Sequence, residues 1–215
     1  MIKEGFMMKK FVFVCVSLFL WIQGSNASIA PKDAETFMST IGDQVINLLT
    51  DKTISDQERA DQFREILETR FNVKAIGKFV LGRYWKQASD DEKQKFLELF
   101  KETTVASYAT RFKEYTSERL EILGSRPEAD GGVTVMTQII RPNSQKIPID
   151  WKIFEKNGEL RIYDVILEGI SMGITQRSEY ASVIQKGGGR VEAINKALED
   201  KLSTFNKEVI PASAK

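Results

Sequence analysis

The segment SDDEKQKFLELFKETTVASYATRFKEY, residues 89–115, has the pattern of one long amphipathic helix. Ser89 and Glu92 have the spacing of a capping box, in which each side chain accepts a hydrogen bond from the other residue's backbone amide. Residues at steps of three or four share one helix face, and here they are Leu97, Phe100, Thr104, Tyr108, Phe112 and Tyr115. Such a helix is about 40 Å long. We expect it to cover a sheet formed by the second half of the chain.

The chain after this helix has the alternating pattern of β-strands. Residues 119–124 alternate weakly, and residues 133–141 are rich in β-branched side chains. Residues 147–154 and 160–167 flank Asn157-Gly158, a strong signal for a two-residue hairpin. Consecutive strands joined by tight turns form antiparallel sheets. We therefore predict an antiparallel sheet of about four strands.

Both faces of this predicted sheet carry apolar side chains. Val135 and Ile139 alternate with Met136 and Ile140 along one strand. A sheet with one solvated face would instead alternate apolar with polar residues. Two explanations remain open. Helices cover both faces, which the pattern favours, or one face lines something else that is apolar.

The chain before residue 89 predicts three helices. Asp33 is expected to cap the first, which ends near residue 50, and Ser55 opens the second with another capping box. Asn72 is expected to cap the third, and Gly82 to end it. With the sheet, this predicts an α+β fold whose N-terminal half is helical.

The end of the chain predicts two further helices and a tail. The helices are expected at about residues 175–186 and 191–202, separated by three glycines. Residues 203–215 are expected to form a flexible tail. We predict a single domain over residues 31–202.

The first residues predict a secretory signal peptide. A short apolar run of residues 11–22 follows two lysines, and small residues surround Ala27. We expect cleavage after Ala27, which makes residues 1–27 the signal, with cleavage after Ala30 as the alternative. The apolar run is shorter than the roughly 20 residues that span a bilayer. A membrane anchor and lipidation at Cys15 are the less favoured interpretations.

The composition excludes several kinds of chemistry. The chain has no histidine, and its one cysteine, Cys15, lies in the predicted signal peptide. Zinc sites and Cys or Ser/His nucleophiles depend on those residues, so we expect no metal. The net charge is +1, and nothing indicates nucleic acid, whose binders carry clustered basic charge. Any catalysis must rest on Asp, Glu, Lys or Tyr.

A few polar residues are candidates for chemistry or binding. Asp150 and Asp164 lie in adjacent predicted strands among apolar residues, and a buried carboxylate can act as a general base. An exposed or arginine-paired structural role is the favoured reading for both. Arg83, Tyr84 and Trp85 form a basic and aromatic cluster that would hold a phosphate or a partner protein. Ordinary packing and surface charge is the alternative for this cluster.

Three stretches of the sequence resemble the MlaC family of periplasmic phospholipid-binding proteins, also called the toluene-tolerance auxiliary family. They are FVLGRYW at residues 79–85, IYDVILEGIS at residues 162–171 and QRSEY at residues 176–180. The resemblance covers about residues 33–202, and the second stretch is its most specific part. Trp151, where the family commonly has tyrosine, is a departure, and so is the glycine run before the last helix.

This resemblance implies a fold and a function. The implied fold is related to nuclear transport factor 2, with helices on a curved sheet around a deep apolar cavity. The implied protein holds the tails of a diacyl phospholipid there, without a cofactor or catalysis. In the periplasm it shuttles lipid between an outer-membrane lipoprotein complex and an inner-membrane ABC transporter with a ring-forming lipid-binding subunit. That transport maintains the lipid asymmetry of the outer membrane.

We expect the cavity between the long helix and the sheet. The residues predicted to line it are Phe79, Val80, Phe100, Thr104, Tyr108, Met136, Ile149, Trp151, Val165 and Met172. Arg83, Tyr84 and Arg177 are the candidates for contact with a head group or a partner. Two alternatives remain. One is an enzyme of the same fold with Asp150 or Asp164 as general base, and the other is a structural envelope protein with a solid core.

Overall fold

A computed structural model describes residues 29–109 and 118–209, with side chains described up to residue 205. The helices are α1 (Pro31–Thr50), α2 (Asp56–Arg70), α3 (Val73–Leu81), α4 (Asp90–Ala109), α5 (Met172–Lys186) and α6 (Val191–Val209), with a 3₁₀ turn at Gly82–Lys86. The strands are β1 (Arg119–Pro127), β2 (Val133–Ile140), β3 (Lys146–Lys156), β4 (Glu159–Leu167) and β5 (Ile170–Ser171). The predicted signal peptide and residues 110–115 of the predicted long helix lie outside the described residues. In the part of the chain that the structure describes, no helix is long and apolar enough to cross a membrane.

The predicted helix starts at Ser55, Asn72 and Ser89 are confirmed. Ser55 and Glu58 form a complete capping box. At Ser89 the backbone amide donates to Glu92 Oε2 at 2.8 Å, and the Glu92 amide donates back to Ser89 Oγ at 3.1 Å. The Asn72 side chain accepts from the Ala75 amide at 3.0 Å. These helix starts can be predicted from the sequence because each cap depends only on residues within one turn.

Three helix ends differ from the prediction. α1 begins at Pro31, so Asp33 lies in its first turn and does not cap it. Proline suits this position because the first amides of a helix have no intrahelical partner. α5 begins at Met172 and not near residue 175, because Ser171 caps it through the Ile174 amide. α6 runs to Val209, so residues 203–209 of the predicted tail are helical, and residues 210–215 lie outside the described residues.

The sheet is antiparallel with the strand order β1-β2-β3-β4-β5. The α+β class is confirmed, but the sheet has five strands and not about four. The short strand β5 follows a tight turn at Glu168-Gly169, where both residues have positive φ. The predicted hairpin at Asn157-Gly158 is present, with φ values of 55° and 80°. Bulges interrupt the register in β1 at Leu123 and in β4 at Tyr163, and such bulges bend a strand and increase its twist.

The strand register defines two sheet faces. Val135, Trp151 and Val165 are partners across β2, β3 and β4 and define the first sheet face. Met136, Asp150 and Ile166 are also cross-strand partners. Each is the chain neighbour of a residue in the first set, so these three define the opposite, second sheet face.

The first sheet face packs against α1 and forms the sheet core. Its buried side chains are Ile29, Ala34, Met38, Ile41, Val133, Val135, Ile153 and Ile162. The helix that covers this face is therefore α1, and the expectation that the long helix α4 would do so is wrong. The α1 side chains at Ala34, Met38 and Ile41 repeat at steps of three or four, which places them on one helix face.

A second group of buried side chains forms the helical core, with members on α3, α4, α5 and α6. They include Val80, Leu81, Tyr84, Phe96, Phe100, Ile184, Ile194 and Leu198. Among the described residues, the helical core and the sheet core share no buried side chain. The long helix is thus a central member of the helical core, and its apolar residues pack chiefly on other helices.

Candidate functional site

Helix α2 contacts both the sheet core and helix α4. Ile66 packs against the sheet core, while the Phe63 ring lies 5.5 Å from the Tyr108 ring on α4, centroid to centroid. Arg59, which is 7% exposed, ties the start of α2 to the end of α1 by donating to the carbonyls of Leu48 and Asp51. α2 therefore packs on the sheet core and on α4, beside the half-exposed Tyr108.

A cavity of about 200 Å³ lies between α4 and α5. Its lining residues are Thr103, Thr104, Ser107, Tyr108, Gln176 and Tyr180. Two of the predicted lining residues, Thr104 and Tyr108, therefore meet at one cavity. All six lining residues carry a hydroxyl or an amide, whereas the resemblance implied an apolar cavity. We call this space the α4–α5 pocket.

Sequence reasoning missed four residues of this pocket: Thr103, Ser107, Gln176 and Tyr180. A signal for them exists, because Thr103 and Ser107 lie four residues apart on α4, beside Thr104 and Tyr108. Gln176 and Tyr180 have the same spacing on α5. Residues four apart share a helix face, so each helix presents a short polar stripe. That the two stripes meet depends on how α4 and α5 pack.

Three predicted lining residues from the strands lie together on the first sheet face. Trp151 and Val165 are direct cross-strand partners, and Ile149 is two residues before Trp151 on the same face. Trp151 and Val165 are partly buried against the sheet core. The Trp151 indole N–H donates to Thr137 Oγ1 at 3.0 Å, which fixes the ring orientation. Met136, in contrast, lies on the second sheet face.

The other predicted lining residues lie in or beside the helical core. Val80 and Phe100 are buried there, at 1% and 6% exposure, and Phe100 stacks on Phe96 at 5.8 Å between ring centroids. Phe79 is 43% exposed. Met172 is partly buried as the first residue of α5. The structure therefore brings the ten residues into separate places and not into one wall.

The head-group candidates lie where α3 meets α5. Arg83 Nη2 donates to the Tyr84 hydroxyl at 2.8 Å, and this hydrogen bond lowers the pKa of Tyr84 from its ordinary value. The Arg177 guanidinium lies 5.1 Å from the centroid of the Phe79 ring and against Gly82. Arg177 therefore contacts both the exposed phenyl ring and the end of α3.

The two aspartates considered as general bases have different surroundings. Asp164 Oδ1 accepts from the backbone amides of Val165 and Gly173 at 2.9 and 3.0 Å, and Oδ2 accepts from the Ser171 hydroxyl at 2.5 Å. Both oxygens thus hold the start of α5 to β4. Asp150 is the cross-strand partner of Ile166 and not of Asp164. Among the described residues, no group of histidine, cysteine and acidic side chains could hold a metal ion.

A larger groove of about 370 Å³ lies elsewhere, between the α2–α3 junction and the β3–β4 hairpin. Its lining is largely charged, with Glu68, Lys74, Lys156, Glu159 and Arg161. None of the residues predicted for lipid or partner contact lines it.

Comparison with known proteins gives consistent matches in sequence and in fold. The model of the MlaC protein family matches residues 39–200. The chain is 26% identical over 121 residues to the intermembrane phospholipid transport system binding protein MlaC of Haemophilus influenzae, covering 54% of this chain and 56% of that protein. It is 22% identical over 133 residues to the toluene tolerance protein ttg2D of Pseudomonas putida, covering 61% and 62%. The match thus spans about three fifths of the length of these curated relatives.

A solved structure shares the fold. The phospholipid-binding protein of Ralstonia solanacearum, determined in complex with a phospholipid, superimposes with a TM-score of 0.71 at 20% identity. The match covers 81% of this chain and 99% of that one.

Proposed function

Because the chain belongs to the MlaC protein family, we propose that it is a periplasmic phospholipid carrier that holds acyl tails between its two cores. The observation that carries the proposal is the division of the interior. The helical core and the sheet core are separate among the described residues. Helix α2 packs on the sheet core through Ile66 and on helix α4 through Phe63.

The tails would lie against the partly buried apolar side chains at the margins of the two cores. Ile149, Trp151 and Val165 on the first sheet face provide one side, and Tyr108 with Phe63 provides the other. Each buried methylene contributes about 0.8 kcal/mol, so two tails of roughly fifteen methylenes gain about 24 kcal/mol gross on that scale. This exceeds the practical limit of about 18–21 kcal/mol for non-covalent binding, and ordering costs reduce it. Escape into water would still be slow, so release requires a partner that opens the fold.

The partners that we propose follow from the family. They are an inner-membrane ABC transporter with a ring-forming lipid-binding subunit and an outer-membrane lipoprotein complex, and the transport would maintain outer-membrane lipid asymmetry. The names of the relatives from H. influenzae and P. putida support a transport role of this kind. Export through the predicted signal peptide would place the chain between the two membranes. Arg83, Tyr84 and Arg177 are the proposed contacts for a head group or a partner.

A catalytic role has less support. Both carboxylate oxygens of Asp164 accept hydrogen bonds, and those from Ser171 and Gly173 hold the start of α5. This residue therefore has a structural role. We therefore propose no reaction, no catalytic residue and no cofactor for this chain, and phospholipid as its cargo.

Native mass spectrometry of the exported chain, purified without detergent, tests the proposal. We expect a bound mass equal to one or more phospholipids. A matched pair of variants locates the tails: Val165→Phe on the first sheet face should reduce the bound lipid, whereas Ile166→Phe on the second sheet face should not. A lipid-free mass that stays lipid-free after incubation with phospholipid vesicles would contradict the proposal.

A further inference from the structure

The segment formed by α3 and the 3₁₀ turn carries an excess of positive charge. Residues 72–87 contain four basic residues and no aspartate or glutamate, whereas the net charge of the whole chain is only +1. All four basic side chains are exposed, and none forms an ion pair with a carboxylate in the part of the chain that the structure describes. They are Lys74, Lys78, Arg83 and Lys86. Charge of one sign on one segment attracts a partner of the opposite sign.

Large apolar side chains are exposed beside this segment. Phe79 is 43% exposed, and Ile170 and Ile174, at the start of α5, are 60% and 59% exposed. The two elements are in contact there, because a Cβ added at Gly173 would lie 3.3 Å from Cε1 of the Phe79 ring. The exposed apolar side chains and the basic segment therefore belong to the same part of the molecular surface.

Arg177 on α5 adds a further cation to this surface. Its guanidinium lies 5.1 Å from the centroid of the Phe79 ring. It follows Ile174 by three residues, so the two share one side of the helix. We call this region the α3–α5 surface, and its residues are Lys78, Phe79, Arg83, Ile170, Ile174 and Arg177.

Neighbouring acidic residues do not cancel the charge of the α3–α5 surface. Glu168 lies in the turn before β5, and Glu179 is two residues after Arg177, so Glu179 and Arg177 do not face each other. Asp164 already accepts hydrogen bonds through both of its carboxylate oxygens. The three cations of the surface therefore exceed the acidic charge beside them.

The type of cation favours a lipid bilayer over an acidic protein as the binding partner. Lysine is depleted at protein interfaces, yet Lys74, Lys78 and Lys86 make up three of the four basic residues in 72–87. A lysine places its charge among lipid head groups while its aliphatic stem lies along apolar surface. Proteins that lie on membranes combine such cations with apolar side chains that enter the boundary between head groups and acyl chains.

We propose that the α3–α5 surface docks the chain onto a bilayer that contains anionic phospholipid. Phe79, Ile170 and Ile174 enter the head-group layer, and the surrounding lysines and arginines meet the lipid phosphates. This goes beyond the proposed function, because a carrier that exchanged lipid only through protein partners would need no surface for the membrane itself. Each cation close to an anionic bilayer contributes roughly fivefold in affinity at low salt.

Flotation of the exported chain with vesicles tests this proposal. Vesicles of phosphatidylcholine alone are compared with vesicles of phosphatidylcholine mixed with phosphatidylglycerol, at low ionic strength. We expect the chain to float with the anionic vesicles and not with the neutral ones. Added salt should release it, because salt screens exposed charges. A chain that only extracts a lipid molecule from the vesicles stays at the bottom of the gradient.

Two substitutions within the α3–α5 surface should weaken this binding. Lys78→Gln removes one cation and should lower the affinity about fivefold. Ile174→Ser removes an apolar side chain that would enter the head-group layer and should lower the affinity about tenfold. Both side chains are exposed, so the melting temperatures of both variants should match that of wild type.

The same changes at exposed positions elsewhere are the controls. Lys52→Gln lies between α1 and α2, at the end of α2 away from α3, and α2 is about 22 Å long. Leu123→Ser lies on β1, and Ile170 lies on β5 at the opposite edge of the sheet. Leu123 is 55% exposed, close to the value for Ile174. Both control variants should bind anionic vesicles as wild type does.

Three results would overturn the proposal. They are equal binding to neutral and anionic vesicles, equal losses in Lys78→Gln and Lys52→Gln, and equal losses in Ile174→Ser and Leu123→Ser. A wild-type chain that does not float with anionic vesicles would also overturn it and would leave the α3–α5 surface to an acidic protein. In each case native mass spectrometry would still test whether the chain carries phospholipid, so this proposal and the carrier function fail independently.

Discussion

Arg64 on α2 forms a two-point ion pair with Glu102 on α4: its Nε donates to Oε1 and its Nη2 to Oε2, both at 2.9 Å. The hydrogen bond to Glu102 is the main reason that the pKa of Arg64 is raised above its ordinary value. Lys101 and Glu68 add a second link between the same helices, with Nζ and Oε1 2.9 Å apart. Helix α2 is therefore held to α4 partly by charge.

Replacing Glu102 with glutamine should loosen this attachment. We expect Glu102→Gln to lower the free energy of unfolding by about 1 kcal/mol, since the pair is bidentate and both side chains are partly buried. The loss should be greater at low than at high salt, because salt screens the wild-type pair. Urea denaturation at two salt concentrations measures both effects.

Glu98→Gln is the control for this prediction. Glu98 pairs with Lys101 at 3.0 Å, but its side chain is 63% exposed, so the loss should stay below about 0.5 kcal/mol. Equal losses in the two variants would show that the Arg64–Glu102 geometry adds nothing.

Replacing Asp164 with alanine should destabilise the start of α5. The change leaves the Gly173 amide and the Ser171 hydroxyl without their acceptor, which costs about 1–3 kcal/mol. Hydrogen exchange at the Gly173 amide should accelerate by more than exchange in the middle of the helix.

Asp150→Ala is the matched change on the second sheet face. No hydrogen bond joins its carboxylate to another described residue, so its cost should be below about 0.5 kcal/mol. A similar cost for both aspartates would mean that Asp164 is not an anchor. Both variants should still bind phospholipid.

Replacing Gly82 with alanine should cost more than the same change at Gly169. Both glycines have positive φ, at 54° and 81°, which costs a residue with a Cβ about 1 kcal/mol or more. Gly82, with ψ of −124°, also lies outside the left-handed helical region. At Gly82 the added Cβ would also lie 2.9 Å from Arg177 Nε, whereas at Gly169 it would meet nothing within 4 Å. We therefore expect about 2 kcal/mol for Gly82→Ala and about 1 kcal/mol for Gly169→Ala. Thermal denaturation compares them, and an equal shift would show that neither Arg177 nor the backbone conformation of Gly82 adds to the cost.

The stability of the fold should fall with rising pH between about 10 and 12, in part because of Tyr180. In the unfolded chain its pKa is near 10, whereas burial raises the folded value to about 12. Over that range the unfolded state releases a proton that the folded state keeps, so the free energy of unfolding decreases as pH rises. The contribution is present in full below pH 10 and amounts to about 3 kcal/mol.

Tyr180→Phe should remove this part of the pH dependence. Denaturant midpoints followed from neutral to alkaline pH should decline less steeply in the variant than in wild type. Parallel curves would mean that the tyrosine gains a charge in the folded state as readily as in water.

Local features of the fold were predictable where a few neighbouring residues decide them. The capping residues at Ser55, Asn72 and Ser89 and the hairpin at Asn157-Gly158 act within a single turn. The missed start of α5 is instructive, because its cap Ser171 is itself held by Asp164 from the preceding strand. This hydrogen bond joins two different elements, so no periodic pattern in the sequence indicates it.

The candidate site was predictable only in part. Thr104 and Tyr108 do line a common pocket, and the sequence placed them on one helix face. Met136 shares the β-pattern of Val135 and Ile139, and the choice between the two sheet faces depends on which face meets α1. Val80 and Phe100 are apolar enough for a lipid contact, but their side chains are buried in the helical core.

By itself the sequence determined the helix starts, the hairpin, the α+β class and the resemblance that led to the MlaC family, because these depend on short-range patterns. Only the tertiary structure decided that α1 covers the first sheet face, that α4 joins the helical core, and that Thr103 faces α5 across a polar pocket. The physical reason is that apolar faces are interchangeable as far as hydrophobicity goes. Burial drives each face out of water, whereas shape and register choose the partner on which it packs.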